Sequence, residues 1–462
     1  LSRACIFQEI TVPDLYVSPS AQSPSLFRML VICAIGCALE TYDFMIYALM
    51  APYISAAFFP EDGAVNGLLL TFATFGIGYL ARPFGGVLFG HIGDRKGRKK
   101  PFAATILLMA LTTTLIGLLP GYNTLSIAPF LLLTLRLGQG VSMGGEVGGA
   151  LTYVQEIMPN RRTIASCSVV CGMLFGLALG HLVHAGLEFA LGAKGMHTLG
   201  WRLAFIFGGL LGVIGYVIRK HFQETAGFLN LQQQGNISKV PIARLFAKYP
   251  SQIVTGVLAI TAHGFCSIFI LIFIPTWIGS NSSDYADMLA VGGAIASVTA
   301  ALCCLGFGYV ADHVHQKLPF VTFPLMLLLG LPLTGFIFSG VSIWTQLALQ
   351  LSSILVGMVC ASSLWIFTRL FSPDVRYTGS GFTYNAGLAF GGGLTPFLAT
   401  LLATRLPTST AAGLVLALSG ACGLTALWLY RRFNRRQSCH KPQGQGSQNE
   451  TYDQGTQHAP NR

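Results

Sequence analysis

Gly90-His91-Ile92-Gly93-Asp94-Arg95-Lys96-Gly97-Arg98-Lys99-Lys100 is a short loop set between two long apolar stretches. Five of the six positions from Arg95 to Lys100 are Lys or Arg, in a chain of which only 10% is charged. A strongly basic loop between two membrane-length segments marks the cytoplasmic side of a membrane protein. In a soluble chain the same run reads as a nuclear-localisation or nucleic-acid patch. The apolar flanks exclude that reading, because they belong in lipid.

Composition agrees. Hydrophobic residues make up 53% of the 462, mean hydropathy is +0.62, and soluble chains carry about 25% charged residues. Twelve stretches reach the roughly 20 apolar residues that span hydrocarbon: 28–58, 64–89, 101–119, 125–156, 164–190, 201–219, 252–278, 287–310, 319–339, 342–370, 377–402 and 409–430. The predicted fold class is an all-α membrane protein of twelve transmembrane helices.

Positive charge sets the topology. Of 28 Lys/Arg, three fall in outer loops or at an outer span end (Lys194, Arg202, Arg405), two deep inside spans (Arg82, Arg136), and the remaining 23 in tails, cytoplasmic loops or the cytoplasmic ends of spans. Loops after odd-numbered spans hold Glu61, Asp62, Asp284 and Asp287 instead. This asymmetry places both termini in the cytoplasm and accounts for the net charge of +11 without nucleic acid. The expected units are a cytoplasmic N-terminal segment (1–25), a six-helix bundle (26–221), a polar cytoplasmic linker (222–250), a second six-helix bundle (251–431) and a disordered cytoplasmic tail (432–462) rich in Gln, Gly, Ser and Asn. Residues 1–25 lack the charged, apolar and cleavage regions of a signal peptide.

The halves repeat. Gly90-x-x-x-Asp94 after the second span returns as Gly308-x-x-x-Asp312 after the eighth, and Pro159-x-x-Arg162 before the fifth returns as Pro373-x-x-Arg376 before the eleventh. The offsets, 218 and 214 residues, agree with one duplication of six spans. Parallel six-span halves predict a substrate site near the bilayer midplane between them.

Other chemistry is not signalled. Eleven Cys are scattered without CxxC or a zinc-ligand pattern, and no Walker loop, GxSxG or HExxH is present. The reading is therefore no enzyme, no catalytic residue, no metal and no cofactor. Among 54 glycines, Gly172, Gly176 and Gly180 form a small-residue stripe on the fifth span, the pattern of close helix approach.

Charges inside the membrane carry the mechanistic signal, because each is costly in hydrocarbon. Glu40 and Asp43 lie one helical turn apart and share a face with Tyr47; Arg136 shares a face with Gln139, and Glu146 follows on the same span. A cation nearby keeps a buried carboxylate ionised, and its departure favours the protonated form. A transporter can load and release a proton on that contrast; a static ion pair orienting two helices fits the same residues. His263, and His181 with His184, are candidates for proton or anion binding or for hydrogen-bonded packing. Tyr384, Asn385 and Trp365 are suited to lining a cavity. Arg82, beside Pro83, either snorkels towards the interface or gates the cytoplasmic mouth.

Taken together, these motifs resemble the major facilitator superfamily across residues 25–435, and more narrowly its metabolite:proton symporter family, which includes bacterial proline/betaine, α-ketoglutarate, shikimate and citrate transporters. The likeness is carried by Leu39-Glu40-Thr41-Tyr42-Asp43-Phe44, Arg82-Pro83-Phe84-Gly85-Gly86, Arg136-Leu137-Gly138-Gln139-Gly140 with Gly144-Gly145-Glu146, Gly200-Trp201-Arg202, Gln223-Glu224-Thr225 and Phe371-Ser372-Pro373-Asp374-Val375-Arg376. It implies two six-helix bundles, alternating access by rocking, inward symport driven by the proton gradient, and a monomer in a bacterial cytoplasmic (inner) membrane. By the same likeness Asp43, Glu40 and Arg136 serve proton coupling, while Arg136, Gln139, Tyr47, His263, Trp365, Tyr384 and Asn385 meet substrate. Gly90, Asp94, Arg95, Gly97, Arg98, Glu156 and Arg376 would form the cytoplasmic gate, with Asp94 bracing the start of span 11 near Arg376 and Arg95 pairing with Glu156. Departures are Thr41, where the family usually has an aromatic, the loop Asp312-His313-Val314-His315-Gln316-Lys317 without its run of arginines, and His181 and His184.

Three function classes follow. The first is a proton-coupled importer of a small carboxylate-bearing metabolite, either an organic acid or a zwitterionic osmolyte, with substrate, protons and lipid as its partners. The second is a drug or siderophore exporter by proton antiport. Such exporters carry a Gly-Pro pair in span 5, and Gly172-Met173-Leu174-Phe175-Gly176-Leu177 lacks the proline. The third is a non-transporting sensor, for which no signalling domain is evident.

Overall fold

The computed structural model describes residues 26–60, 63–96, 99–219, 241–281, 286–313, 317–338, 343–372 and 375–439, and every regular element among them is helical. The first half comprises α1 (Leu26–Leu49), α2 (Ala51–Phe58), α3 (Gly63–Lys96), α4 (Lys99–Leu118), α5 (Ala128–Ile157), α6 (Arg162–Gly195) and α7 (Trp201–Arg219). The short α8 (Pro241–Lys248) comes next. The second half holds α9 (Pro250–Ile268), α10 (Ile274–Asn281), α11 (Ala286–His313), α12 (Leu318–Ile337), α13 (Ile343–Phe367), α14 (Arg376–Leu388), α15 (Thr395–Ala403) and α16 (Thr408–Cys439).

Twelve crossings result, because α9 runs through the π-helical turn Phe269–Phe273 into α10, and α14 through a second, Ala389–Gly393, into α15. Length and hydropathy alone mark nine candidate spans among the described residues, one of them, Pro159–Val217, holding both α6 and α7, plus the shorter apolar helix Ala104–Leu118. The span these criteria leave unmarked is α5, whose middle carries Arg136, Gln139 and Glu146. Its polar residues are hidden among other helices rather than shown to lipid.

Several boundaries depart from expectation. The first span breaks at Met50, since Pro52 near the start of α2 lacks the N–H that would continue the ladder of α1. The linker includes α8. The last helix continues to Cys439, so residues 432–439, expected to be disordered, are helical; residues 440–462 lie outside the described residues.

Packing repeats as the sequence does. Within the first half α1 lies on α6, α3 on α5 and α4 on α7; within the second, α9 on α14, α11 on α13 and α12 on α16. Between halves, α6 packs along α11 and α3 along α14, two contacts that the duplication exchanges. The glycine stripe works as expected on α6: a Cβ at Gly172 or Gly176 would overlap the carbonyl oxygens of Ala34 or Ala38 on α1. Large apolar side chains such as Phe84, Phe189 and Leu328 face outward, where lipid replaces water as the solvent.

Candidate functional site

The deepest polar feature of the first bundle is Arg136 on α5, fully buried. Its guanidinium carbon lies 4.3 Å from the ring centre of Phe44, 4.2 Å from that of Tyr47 and 5.3 Å from that of Phe75. Three ring faces supply the cation–π attraction that replaces part of its lost hydration. One terminal nitrogen donates to Gln139 Oε1 at 2.6 Å and to the Phe44 carbonyl at 3.4 Å, and Gln139 Nε2 donates in turn to Thr113 Oγ1 at 2.7 Å. The helical i,i+3 spacing of Arg136 and Gln139 makes this pairing possible. The remaining two guanidinium nitrogens have no hydrogen-bond partner among the described residues.

Asp43 does not pair with it. Its carboxylate forms no ion pair among the described residues, and Oδ1 accepts no hydrogen bond there. The side chain points instead at α7: a Cβ at Gly208 would collide with Oδ1, and one at Gly212 would sit 3.5 Å from Oδ2. A static Asp43–Arg136 pair is thereby excluded in this arrangement. Glu40 and Glu146 are both buried.

Arg82 bridges the two bundles. It is fully buried, so it does not snorkel. Its Nε donates to Asn385 Oδ1 at 3.1 Å, and Asn385 Nδ2 donates to the carbonyls of Gly144 at 2.9 Å and Gly381 at 2.8 Å. The Arg82 guanidinium lies 5.0 Å from the Tyr79 ring centre and 5.7 Å from that of Phe44, so both arginines approach the Phe44 ring.

Across the interface the second bundle offers neutral groups. His263 Nε2 lies 3.6 Å from Cys360 Sγ, and its ring meets Tyr384 edge-to-face at 6.3 Å. Tyr384 directs its hydroxyl at Met173 Sδ of the first bundle at 3.6 Å. Of the predicted substrate residues, Tyr47, Arg136 and Gln139 thus form one group, His263 and Tyr384 a second, and Asn385 joins Arg82. Trp365 stands apart, packed on Tyr430 at 5.4 Å beneath the Arg369 guanidinium at 4.6 Å. His184 also lies apart, 3.7 Å from Glu188. Phe44, Phe75 and Tyr79 were not among the predicted residues; the Phe75, Tyr79, Arg82 spacing of one turn per step on α3 is the signal that points to them.

Contacts join the two halves on both faces of the interface. On the face carrying the helix termini Leu26 and Cys439, Asp312 Oδ2 accepts from the Ile164 backbone N–H at the start of α6, 2.9 Å away, and Oδ1 lies 3.4 Å from Arg369, which also donates to Thr163 at 3.0 Å. This is, in the second half, the bracing contact expected of Asp94 in the first. The backbones of Gly90, Asp94 and Arg95 belong to α3, but their side chains, with Gly97 and Arg98, lie outside the described residues. Exposed Glu156 lies in the field of Arg376, whose Nε donates to the Phe371 carbonyl at 3.4 Å. On the opposite face His181 Nε2 meets the Leu271 carbonyl at 2.9 Å and Phe72 approaches Phe273 at 6.1 Å.

This architecture has relatives. The chain is 32% identical over 422 residues to the inner membrane metabolite transport protein YhjE of Escherichia coli K12, covering 87% of this chain and 93% of that one. It is 33% identical over 402 residues, 82% of each chain, to a Staphylococcus aureus (strain COL) protein named for proline/betaine transport. It is 31% identical over 388 residues, 80% of this chain and 86% of the relative, to the shikimate transporter of E. coli K12. In structure it is similar to the proton:xylose symporter XylE with a TM-score of 0.69 over 88% of this chain and 95% of that one, at 16% identity. The model of the Major Facilitator Superfamily matches residues 33–386. With its duplicated bundles, the charges buried in its spans and these matches, the chain belongs to the major facilitator superfamily of membrane transporters, and it is not an enzyme.

Proposed function

We propose that the protein is a proton-coupled importer of a small carboxylate-bearing metabolite, working by alternating access of two bundles, 26–221 and 251–431, as a monomer in a bacterial inner membrane with both termini in the cytoplasm. The observation that carries the substrate class is Arg136. A buried guanidinium with two nitrogens lacking hydrogen-bond partners among the described residues, held flat by three rings, is a receptor for a planar anion. A carboxylate satisfies it with two parallel hydrogen bonds, and shikimate, proline and betaine, named for two of the relatives, all bear one. Asp43, buried without a counter-cation, is the proton carrier in this reading. In this reading the carboxylate takes up a proton on one side and releases it when water or a cation reaches it. Between an organic acid and a zwitterion, the groups of the second bundle nearest this site, His263, Tyr384 and Asn385, include no carboxylate for a quaternary or secondary ammonium, which favours the organic acid.

The test is uptake into proteoliposomes under an imposed inward proton gradient, with labelled citrate, α-ketoglutarate, shikimate, proline and betaine. Gradient-dependent accumulation of one compound is the expected result. Failure of all five, with preloaded vesicles losing a drug or siderophore instead, would replace import by export.

A further inference from the structure

Asp43 faces a small cavity inside the first bundle, away from the interface between bundles. The cavity is about 10 Å³, lined by Gly36, Leu39, Glu40 and Asp43 of α1, Ile106 and Met109 of α4, and Gly212 and Gly215 of α7. That is close to the smallest space that holds one water. Its position has direction. Gly36 precedes Asp43 by two helical turns, about 10 Å along α1, and Gly215 lies one turn from the end of α7 at Arg219. Both lead from Asp43 towards the face that carries the termini. Three glycines open the wall where side chains would close it.

We infer that this intra-bundle cavity is the proton's path between Asp43 and the terminal face, separate from the route the substrate takes between the bundles. The inference rests on the proton-coupled reading given above. The surroundings fit a proton relay rather than a cation site. Apart from Glu40 on the same helix, no titratable side chain lines the cavity: α4 contributes Ile106 and Met109, and α7 contributes glycines. Tyr42, next to Asp43 on α1, turns its hydroxyl to the Ala204 carbonyl at 2.9 Å, and Arg136 on α5 engages Gln139 and the Phe44 carbonyl instead. The proton that Asp43 gives up therefore passes to water or to Glu40 at this point, its O–H bond breaking as the new one forms, with the carboxylate left to recapture a proton in the next cycle. Two paths would let the substrate site stay sealed on the terminal face while the proton leaves through it.

Gly215 provides the test, because a Cβ there meets Leu39 Cδ1 at 3.4 Å and Ile106 Cγ2 at 4.0 Å, ordinary contacts. Gly215→Ala therefore fits, and Gly215→Val pushes a further methyl into the cavity. Purified full-length variants are reconstituted with an entrapped pH dye, and two rates are read with the panel compound that accumulates in the parent protein. One is gradient-driven uptake with its proton flux; the other is counterflow exchange, which needs no net proton movement. The expected result for Gly215→Val is a loss of about ten-fold in driven uptake and proton flux with exchange within about two-fold of the parent, and a smaller loss in Gly215→Ala. Driven uptake and flux at the parental level in Gly215→Val would overturn the inference. So would an equal fall in both rates in Gly215→Ala, which marks a packing role only. A parent protein that accumulates substrate without moving protons removes the symport reading itself, a result distinct from either.

Discussion

The two bundles come from one duplication, yet they keep different chemistry. The first buries Glu40, Asp43, Arg82, Arg136 and Glu146 in its spans; at corresponding depth the second buries His263, Tyr384, Asn385 and many Ser and Thr hydroxyls. Hydroxyls in helices satisfy themselves against the carbonyl one turn back, as Thr322, Thr400 and Ser352 do, and so cost little in lipid. Charges cannot do this, and each needs a built surrounding: three rings for Arg136, Asn385 for Arg82, a water-sized cavity for Asp43. The difference is that the charges buried deep in the spans belong to one half, while the other contributes neutral groups at that depth.

That contrast can be broken by experiment. The largest effect should come from Asp43→Asn, which removes the titratable group and keeps its shape: gradient-driven accumulation should fall by about a hundred-fold or more, with counterflow retained. Normal accumulation in folded Asp43→Asn would mean that charge handling is not confined to the first bundle in this way. Next is Arg136→Lys, which keeps the charge and loses both the planar fork and its stacking on Phe44 and Tyr47. Substrate affinity, measured by equilibrium binding, should weaken by about ten- to a hundred-fold, the worth of a charge-assisted bidentate contact. An unchanged affinity would dismiss Arg136 as the carboxylate receptor.

Smaller effects sharpen the comparison. Asn385→Ala leaves Arg82 Nε buried without its acceptor, at a cost of about 1–3 kcal/mol. Thermal unfolding of the detergent-solubilised protein should drop, and crosslinking between α3 and α14 should show the closed interface less populated. Asp312→Asn keeps a hydrogen bond to Ile164 and loses the charge facing Arg369 and the α6 N-terminus. A shift of about 0.5–1 kcal/mol is expected, read as a few-fold change in labelling of single cysteines on the terminal face. Smallest is Cys360→Ser beside His263, which should leave uptake within about two-fold. A large loss there would show that the second bundle holds chemistry of its own.

Much of this was legible in the chain. The basic loop at 95–100, the distribution of Lys and Arg, and the Gly90/Gly308 and Pro159/Pro373 repeats give twelve crossings and two bundles, because the bilayer admits few solutions to backbone hydrogen bonding. Buried charges were legible too, since Arg136, Asp43 and Arg82 stand out in apolar runs. Even the grouping of Tyr47 with Glu40 and of Arg136 with Gln139 follows from helical spacing.

Partners across helices were not legible. Periodicity reports which residues share a face, but the rotation and depth of a helix are set by packing against its neighbours. Helical spacing therefore left open whether Asp43 met Arg136, whereas the close approach of α7 at Gly208 and Gly212 turns it elsewhere. Nothing in the spacing pointed to the edge-to-face contact of Trp365 with Tyr430; Arg82 could snorkel or gate by its sequence and is bound to Asn385, 303 positions away. The sequence by itself determined the membrane architecture, the family and the inventory of charges, because these follow from local composition and spacing. Only the tertiary structure decided which charge faces rings, which faces the other bundle and which faces a cavity, because those are properties of the surfaces that distant helices bring together.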